Sequence, residues 1–145
     1  MTCIVATSSG VWADRRVTGP DGALYRPTRK VVRGDDIVAA FCGSDVGCVR
    51  AIAAVRRGLT DMAELAAISD GVAVTDRGRW ELTGGAAVRV PARVPIAVHG
   101  SGYAEVQAFL YGAGRYDDAT IRAALRYVSR VRTDCGDGVD AVALR

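Results

Sequence analysis

One lysine, Lys30, and one histidine, His99, stand in a chain of 145 residues, and neither an apolar run of bilayer length nor a block of basic residues occurs anywhere in it. Each absence removes a class of function. A membrane span needs about 20 consecutive apolar residues, and the N-terminus lacks the basic-then-apolar order of a secretory signal, so no membrane association and a cytoplasmic location are expected. The net charge of +3 arises from 19 basic and 16 acidic residues scattered along the chain, which leaves no nucleic-acid arm. Cys3, Cys42, Cys48 and Cys135 show none of the paired short spacings of a zinc site, and a single histidine cannot complete one. No metal and no cofactor are expected, and the cysteines read as reduced, mostly buried thiols. Repeats, low-complexity stretches and linkers are absent too.

What is present describes a folded chain. Half the residues are hydrophobic and 24% are charged, a composition that excludes disorder. The length suits one domain, residues 1–145, with a core able to stand without disulfides. Of the 19 basic residues 18 are arginine, so the one lysine marks a place where an amine is required.

The residues from Thr2 to Thr7 are short and β-favouring, Ser8-Ser9-Gly10 turns, and Val11 to Val17 runs back as a hairpin. Gly19-Pro20-Asp21-Gly22 breaks the chain before a second hairpin, Arg29–Arg33 with Ile37–Cys42. Ser44 reads as the N-cap of a helix over 45–57, with Val46, Val49 and Ala53 on one face. A helical turn or two is expected over 61–67, then strands over 71–75, 79–82 and 87–90, and a further strand over 95–99. Helices over 103–111 and 118–130 follow. In the second of these Ile121, Ala124, Leu125 and Val128 form an apolar stripe. Residues 138–144 close the chain as a strand. Sheets with helices on their outer faces accommodate this order.

Here the residues carry a likeness. Thr2-Cys3-Ile4-Val5-Ala6, Trp12-Ala13-Asp14-Arg15-Arg16, Lys30-Val31-Val32, Phe41-Cys42-Gly43-Ser44 and Gly100-Ser101-Gly102-Tyr103-Ala104 come in order, followed by Cys135-Gly136-Asp137-Gly138-Val139-Asp140. The ordered set resembles a proteasome β-subunit, and within that family the HslV-like peptidases. The resemblance implies an α+β fold, the αββα four-layer sandwich of N-terminal-nucleophile hydrolases. It also implies a homo-oligomer, a ring whose active sites face an inner chamber, acting on peptides or unfolded proteins, with an ATPase unfoldase as partner. The first hairpin is shorter than in typical relatives, and little room follows the first helix for a second long one. Arg132 stands near where relatives carry an aspartate, and Cys135 replaces a serine or threonine.

The chemistry can be argued from the residues as well. A threonine hydroxyl needs an adjacent base, and an N-terminal threonine carries one in its α-amine, whose ordinary pKa is about 8. Removal of Met1 would expose that amine on Thr2. A nearby ammonium favours the neutral amine, and a carboxylate holds the ammonium in place; Lys30 and Asp14 have those properties. By resemblance Thr2 is nucleophile and base, Lys30 tunes the amine, Asp14 orients Lys30, Gly43 offers an oxyanion N–H and Ser101 relays a proton. Arg16 supports the first hairpin and Phe41 lines the pocket for the substrate side chain. Plainer readings stand beside these: Thr2 as a strand residue, Asp14 and Lys30 as an exposed ion pair, Ser101 as a helix N-cap. An inactive proteasome-like scaffold and a small-molecule amidohydrolase are the alternatives to a threonine peptidase.

Overall fold

The computed structural model describes residues 2–17 and 28–144, so the expected break at Gly19-Pro20-Asp21-Gly22 lies outside the described residues. The chain opens on the hairpin β1 (Cys3–Thr7) and β2 (Gly10–Asp14), every residue of which is buried. Their nearly continuous apolar sequence follows from burial on both faces. β3 (Val31–Arg33) and β4 (Ile37–Cys42) form the second hairpin. After them come α1 (Asp45–Arg56), α2 (Met62–Ile68), β5 (Asp70–Thr75), β6 (Gly78–Thr83), β7 (Ala86–Val90), β8 (Ala97–Gly100), α3 (Tyr103–Ala113), α4 (Asp118–Val131) and β9 (Val139–Ala143).

The strands build two antiparallel sheets, one in the order β8-β1-β2-β9 and the other β3-β4-β5-β6-β7. Alternation along each strand sorts its side chains into layers. From β4, Val38, Ala40 and Cys42 meet Ile4, Ala6, Val11 and Val142 between the sheets. From the opposite face of β4, Ile37, Ala39 and Phe41 pack under Ala51, Val55 and Leu65 of α1 and α2. On the far side, Cys3, Val5 and Trp12 meet Val106 and Leu110 of α3 and Ile121, Leu125 and Val128 of α4. The result is the four-layer αββα sandwich expected from the resemblance. Among the described residues, no helix is long and apolar enough to cross a membrane.

Two helix faces were read with different success. The stripe of α4 lies as expected, with Ile121, Ala124, Leu125 and Val128 all buried. In α1 the expected face is corrected: Val46 and Val49 are each 62% exposed, and Ala51, Ala54 and Val55 are the buried residues. The side chain of Ser44 does cap α1, accepting from Gly47 N at 3.1 Å.

Candidate active site

The first hairpin delivers a carboxylate to its own beginning. Asp14 ends β2 and is 1% exposed. Its Oδ1 accepts from Cys3 N at 2.8 Å and from Lys30 Nζ at 3.0 Å, while Oδ2 accepts from Gly136 N at 2.9 Å. Three donors from three segments converge on one buried anion, which offsets the cost of taking it out of water. Lys30, just before β3, is 4% exposed and also donates to Arg16 O. The exposed-ion-pair reading of Asp14 and Lys30 is thereby corrected: the pair is buried, and removing one member leaves the other uncompensated.

Thr2 immediately precedes β1 and is 5% exposed. Its carbonyl accepts from Ser101 N at 2.9 Å. The close approach depends on Gly100, which has φ +102° and where a Cβ would stand 1.8 Å from Thr2 O; only glycine fits. Ser101 is not a helix cap. The N-cap of α3 is Gly102, with no side-chain cap bond, while Ser101 Oγ lies 3.6 Å from Cys135 Sγ.

Gly43 follows β4 with φ +99°, and a Cβ there would meet nothing within 4 Å. The left-handed backbone at this point turns the chain from strand into α1 and leaves the peptide open. Thr2, Lys30 and Gly43 line one cleft of about 700 Å³. Its wall is Val31 from β3 and the α1 residues Asp45, Cys48, Val49, Ile52, Ala53 and Arg56, with Arg16 also lining it. Asp14 stands behind Lys30, and Ser101 behind Thr2. Phe41 does not reach the cleft: it is fully buried in the layer beneath α1 and α2. Arg16 ties the end of β2 to the turn before β9, through Asp137 at 3.0 Å and Thr133 O at 2.6 Å.

Other features of the site were missed in the sequence. Cys3 and Cys135, both fully buried, share a hydrogen bond that pushes the Cys3 thiol up and is the main influence holding Cys135 down. Nothing in the sequence paired them: Cys3 stood beside Thr2, and Cys135 stood where the resemblance has a serine or threonine in the turn before the last strand. Arg132 pairs with Glu105 and Asp134, each at 3.0 Å. Its hydrogen bonds are the main cause of an Asp134 carboxyl pulled down to about 2, with Ser101 contributing less. A carboxylate therefore does stand near Ser101, supplied by Asp134. Among the described residues, no group of three or more His, Cys, Asp and Glu side chains could hold a metal ion.

Solved structures share this arrangement of layers. Eukaryotic HslV from Trypanosoma brucei aligns with a TM-score of 0.72 at 20% identity, over 99% of this chain and 98% of that one. BPH from Thiobacillus denitrificans in complex with epoxomicin gives a TM-score of 0.75 at 14% identity, over 100% of both chains. An Anbu (Gly-1) mutant from Hyphomicrobium sp. strain MC1 gives 0.73 at 13% identity, over 99% of this chain and 81% of that one. This is the proteasome-like N-terminal-nucleophile hydrolase fold. No protein-family model matches the sequence, and no curated protein matches it.

Proposed function

We propose that the chain is a cytoplasmic threonine peptidase of the HslV-like kind, cleaving peptides within a homo-oligomeric ring fed by an ATPase unfoldase. One observation carries the reading: Thr2, Lys30 and Gly43 line a single cleft, with Asp14 buried behind Lys30 at 3.0 Å. A buried ion pair is by itself weak evidence for stability, and this one fixes an ammonium in the lining of the same cleft that Thr2 lines.

The mechanism begins with removal of Met1, which frees the α-amine of Thr2. That amine takes the hydroxyl proton as Oγ bonds to the peptide carbonyl carbon, and Lys30 keeps the amine neutral beforehand by like-charge repulsion. The oxyanion formed accepts from Gly43 N–H. The proton passes to the departing amine, by way of Ser101, as the C–N bond breaks and an ester on Thr2 remains. Water, deprotonated by the same amine, then attacks the ester carbon; the C–Oγ bond breaks, the amine returns the proton to Thr2 Oγ, and the acid is released.

Intact mass and two variants test this. The purified chain is expected to lack one methionine, and Thr2→Ala should abolish hydrolysis while remaining folded by circular dichroism. Lys30→Arg keeps the charge but substitutes a wide, permanently ionised fork, so turnover should fall at least about 100-fold. Peptide hydrolysis at the wild-type rate in Thr2→Ala, or a retained Met1 in an active preparation, would overturn the mechanism. Epoxomicin, the ligand of the Thiobacillus structure, supplies a probe expected to block the wild-type chain.

A further inference from the structure

The cleft is unevenly charged along its length, and its charges fall into two groups. Arg16 and Lys30 are already paired, with Asp137 and Asp14 respectively, each at 3.0 Å. Arg29 and Arg56 also line the cleft, and neither belongs to an ion pair among the described residues. Arg29 immediately precedes Lys30, which puts it at the nucleophile's end. Asp45, the one carboxylate of the lining, stands at that end too, two residues after Gly43. Arg56 has no such counterpart.

The helix itself gives the distance. Asp45 begins α1 and Arg56 ends it, and eleven steps along an α-helix cover about 16 Å. Asp45, Val49, Ile52 and Arg56 recur at helical spacing, so one face of α1 lines the cleft from end to end. An extended peptide advances about 3.3 Å per residue, and one lying along this face reaches Arg56 about five residues from the bond at Thr2. Between the two ends the wall is apolar, supplied by Val49, Ile52 and Ala53.

We infer that Arg56 is a specificity-determining residue that selects peptides carrying a carboxylate about five residues from the scissile bond. The inference rests on the peptidase reading for its substrate. A guanidinium in the last turn also complements the carbonyl end of its own helix, but Arg57 next to it is equally placed for that role and does not line the cleft. Arg57 is therefore the internal control.

The experiment separates binding from turnover. Fluorescent ten-residue peptides, each with one glutamate at a different position and each matched by a glutamine counterpart, are titrated against the Thr2→Ala chain. The glutamate peptide of the right register should bind about three- to fivefold more tightly than its counterpart at low ionic strength, the scale of an exposed ion pair, and this preference should vanish in 1 M salt. Arg56→Ala should erase it, Arg56→Glu should reverse it in favour of a lysine peptide, and Arg57→Ala should leave it intact. Equal binding of all glutamate and glutamine pairs, no peptide binding, or the same loss in Arg57→Ala as in Arg56→Ala, overturns the inference. Hydrolysis by the wild-type chain is scored separately, with the cleaved bond located by mass spectrometry. Glutamate-selective binding without any hydrolysis defeats the peptidase reading and leaves the carboxylate site standing; hydrolysis without selectivity does the reverse.

Discussion

The helices α1 and α4 lie on opposite outer faces of the sandwich and use their apolar residues in opposite ways. In α4 one stripe, Ile121, Ala124, Leu125 and Val128, is wholly buried, and Asp118, Arg122, Arg126 and Arg130 lie outside it. α1 buries mostly small residues, Ala51 and Ala54 with Val55, and carries Val46 and Val49 on the outside. A helix needs only one face for packing on a sheet. The second apolar face of α1 has another use, because Val49 and Ile52 line the cleft that holds Thr2, Lys30 and Gly43. On α1, apolar residues left out of the core thus line a cleft instead.

Truncation inside the α4 stripe should break the fold first. Leu125 is 2% exposed and packs in the cluster formed with Val5, Trp12 and Leu110. Leu125→Ala is expected to cost about 2–5 kcal/mol, from lost burial and the cavity left behind. Chemical denaturation measures it, and a loss under about 1 kcal/mol would mean that α4 is no better anchored than α1.

The corresponding change on α1 should barely affect stability. Val49 is 62% exposed, so Val49→Ala should alter unfolding free energy by less than about 0.5 kcal/mol. The same side chain lines the cleft, and a peptide covering it loses two methyl groups of contact. KM should rise about fivefold with kcat little changed, corresponding to about 1 kcal/mol of apolar contact. Unchanged KM would show that substrate does not run along α1.

The same contrast explains what could be read in advance. The α4 stripe was legible because Arg122, Arg126 and Arg130 fall off the i, i+3, i+4, i+7 positions of its apolar residues and Asp118 precedes them, so one face was marked to go inward. α1 offered little contrast: Val46, Val49, Ala51, Ile52, Ala53, Ala54 and Val55 surround the helix, and the choice of face was made by the tertiary packing of β4 beneath it. Phe41 posed a similar difficulty, since a strand buried on both faces carries no polar marker to tell one face from the other. Lys30 and Asp14 stood out, the first as the sole lysine and both through the ordered motifs. The Cys3 and Cys135 contact joins opposite ends of the chain, and no local pattern announces it.

The smallest effect expected concerns how α4 is pinned to the sheet. Asp118, in its first turn, accepts from Trp12 Nε1 at 2.7 Å and pairs with Arg122 at 2.9 Å. The indole donor first, then Arg122, hold its carboxyl below the usual range. A carboxyl whose folded pKa is depressed adds stability that is fully present above its unfolded value of about 4 and disappears as pH falls through the lower, folded value. Asp118→Asn keeps an acceptor for the indole and removes the charge, so it should be slightly less stable than wild type at pH 6 and indistinguishable from it once the pH has fallen below the lowered, folded value. Because the Asp118 side chain is 60% exposed, solvent and salt screen the contribution, and 1 M salt should shrink the pH 6 difference. Urea midpoints across that pH range, with and without salt, measure the effect. A difference that persists unchanged at low pH would show that the hydrogen-bond geometry at Trp12, rather than the charge, ties α4 to β2.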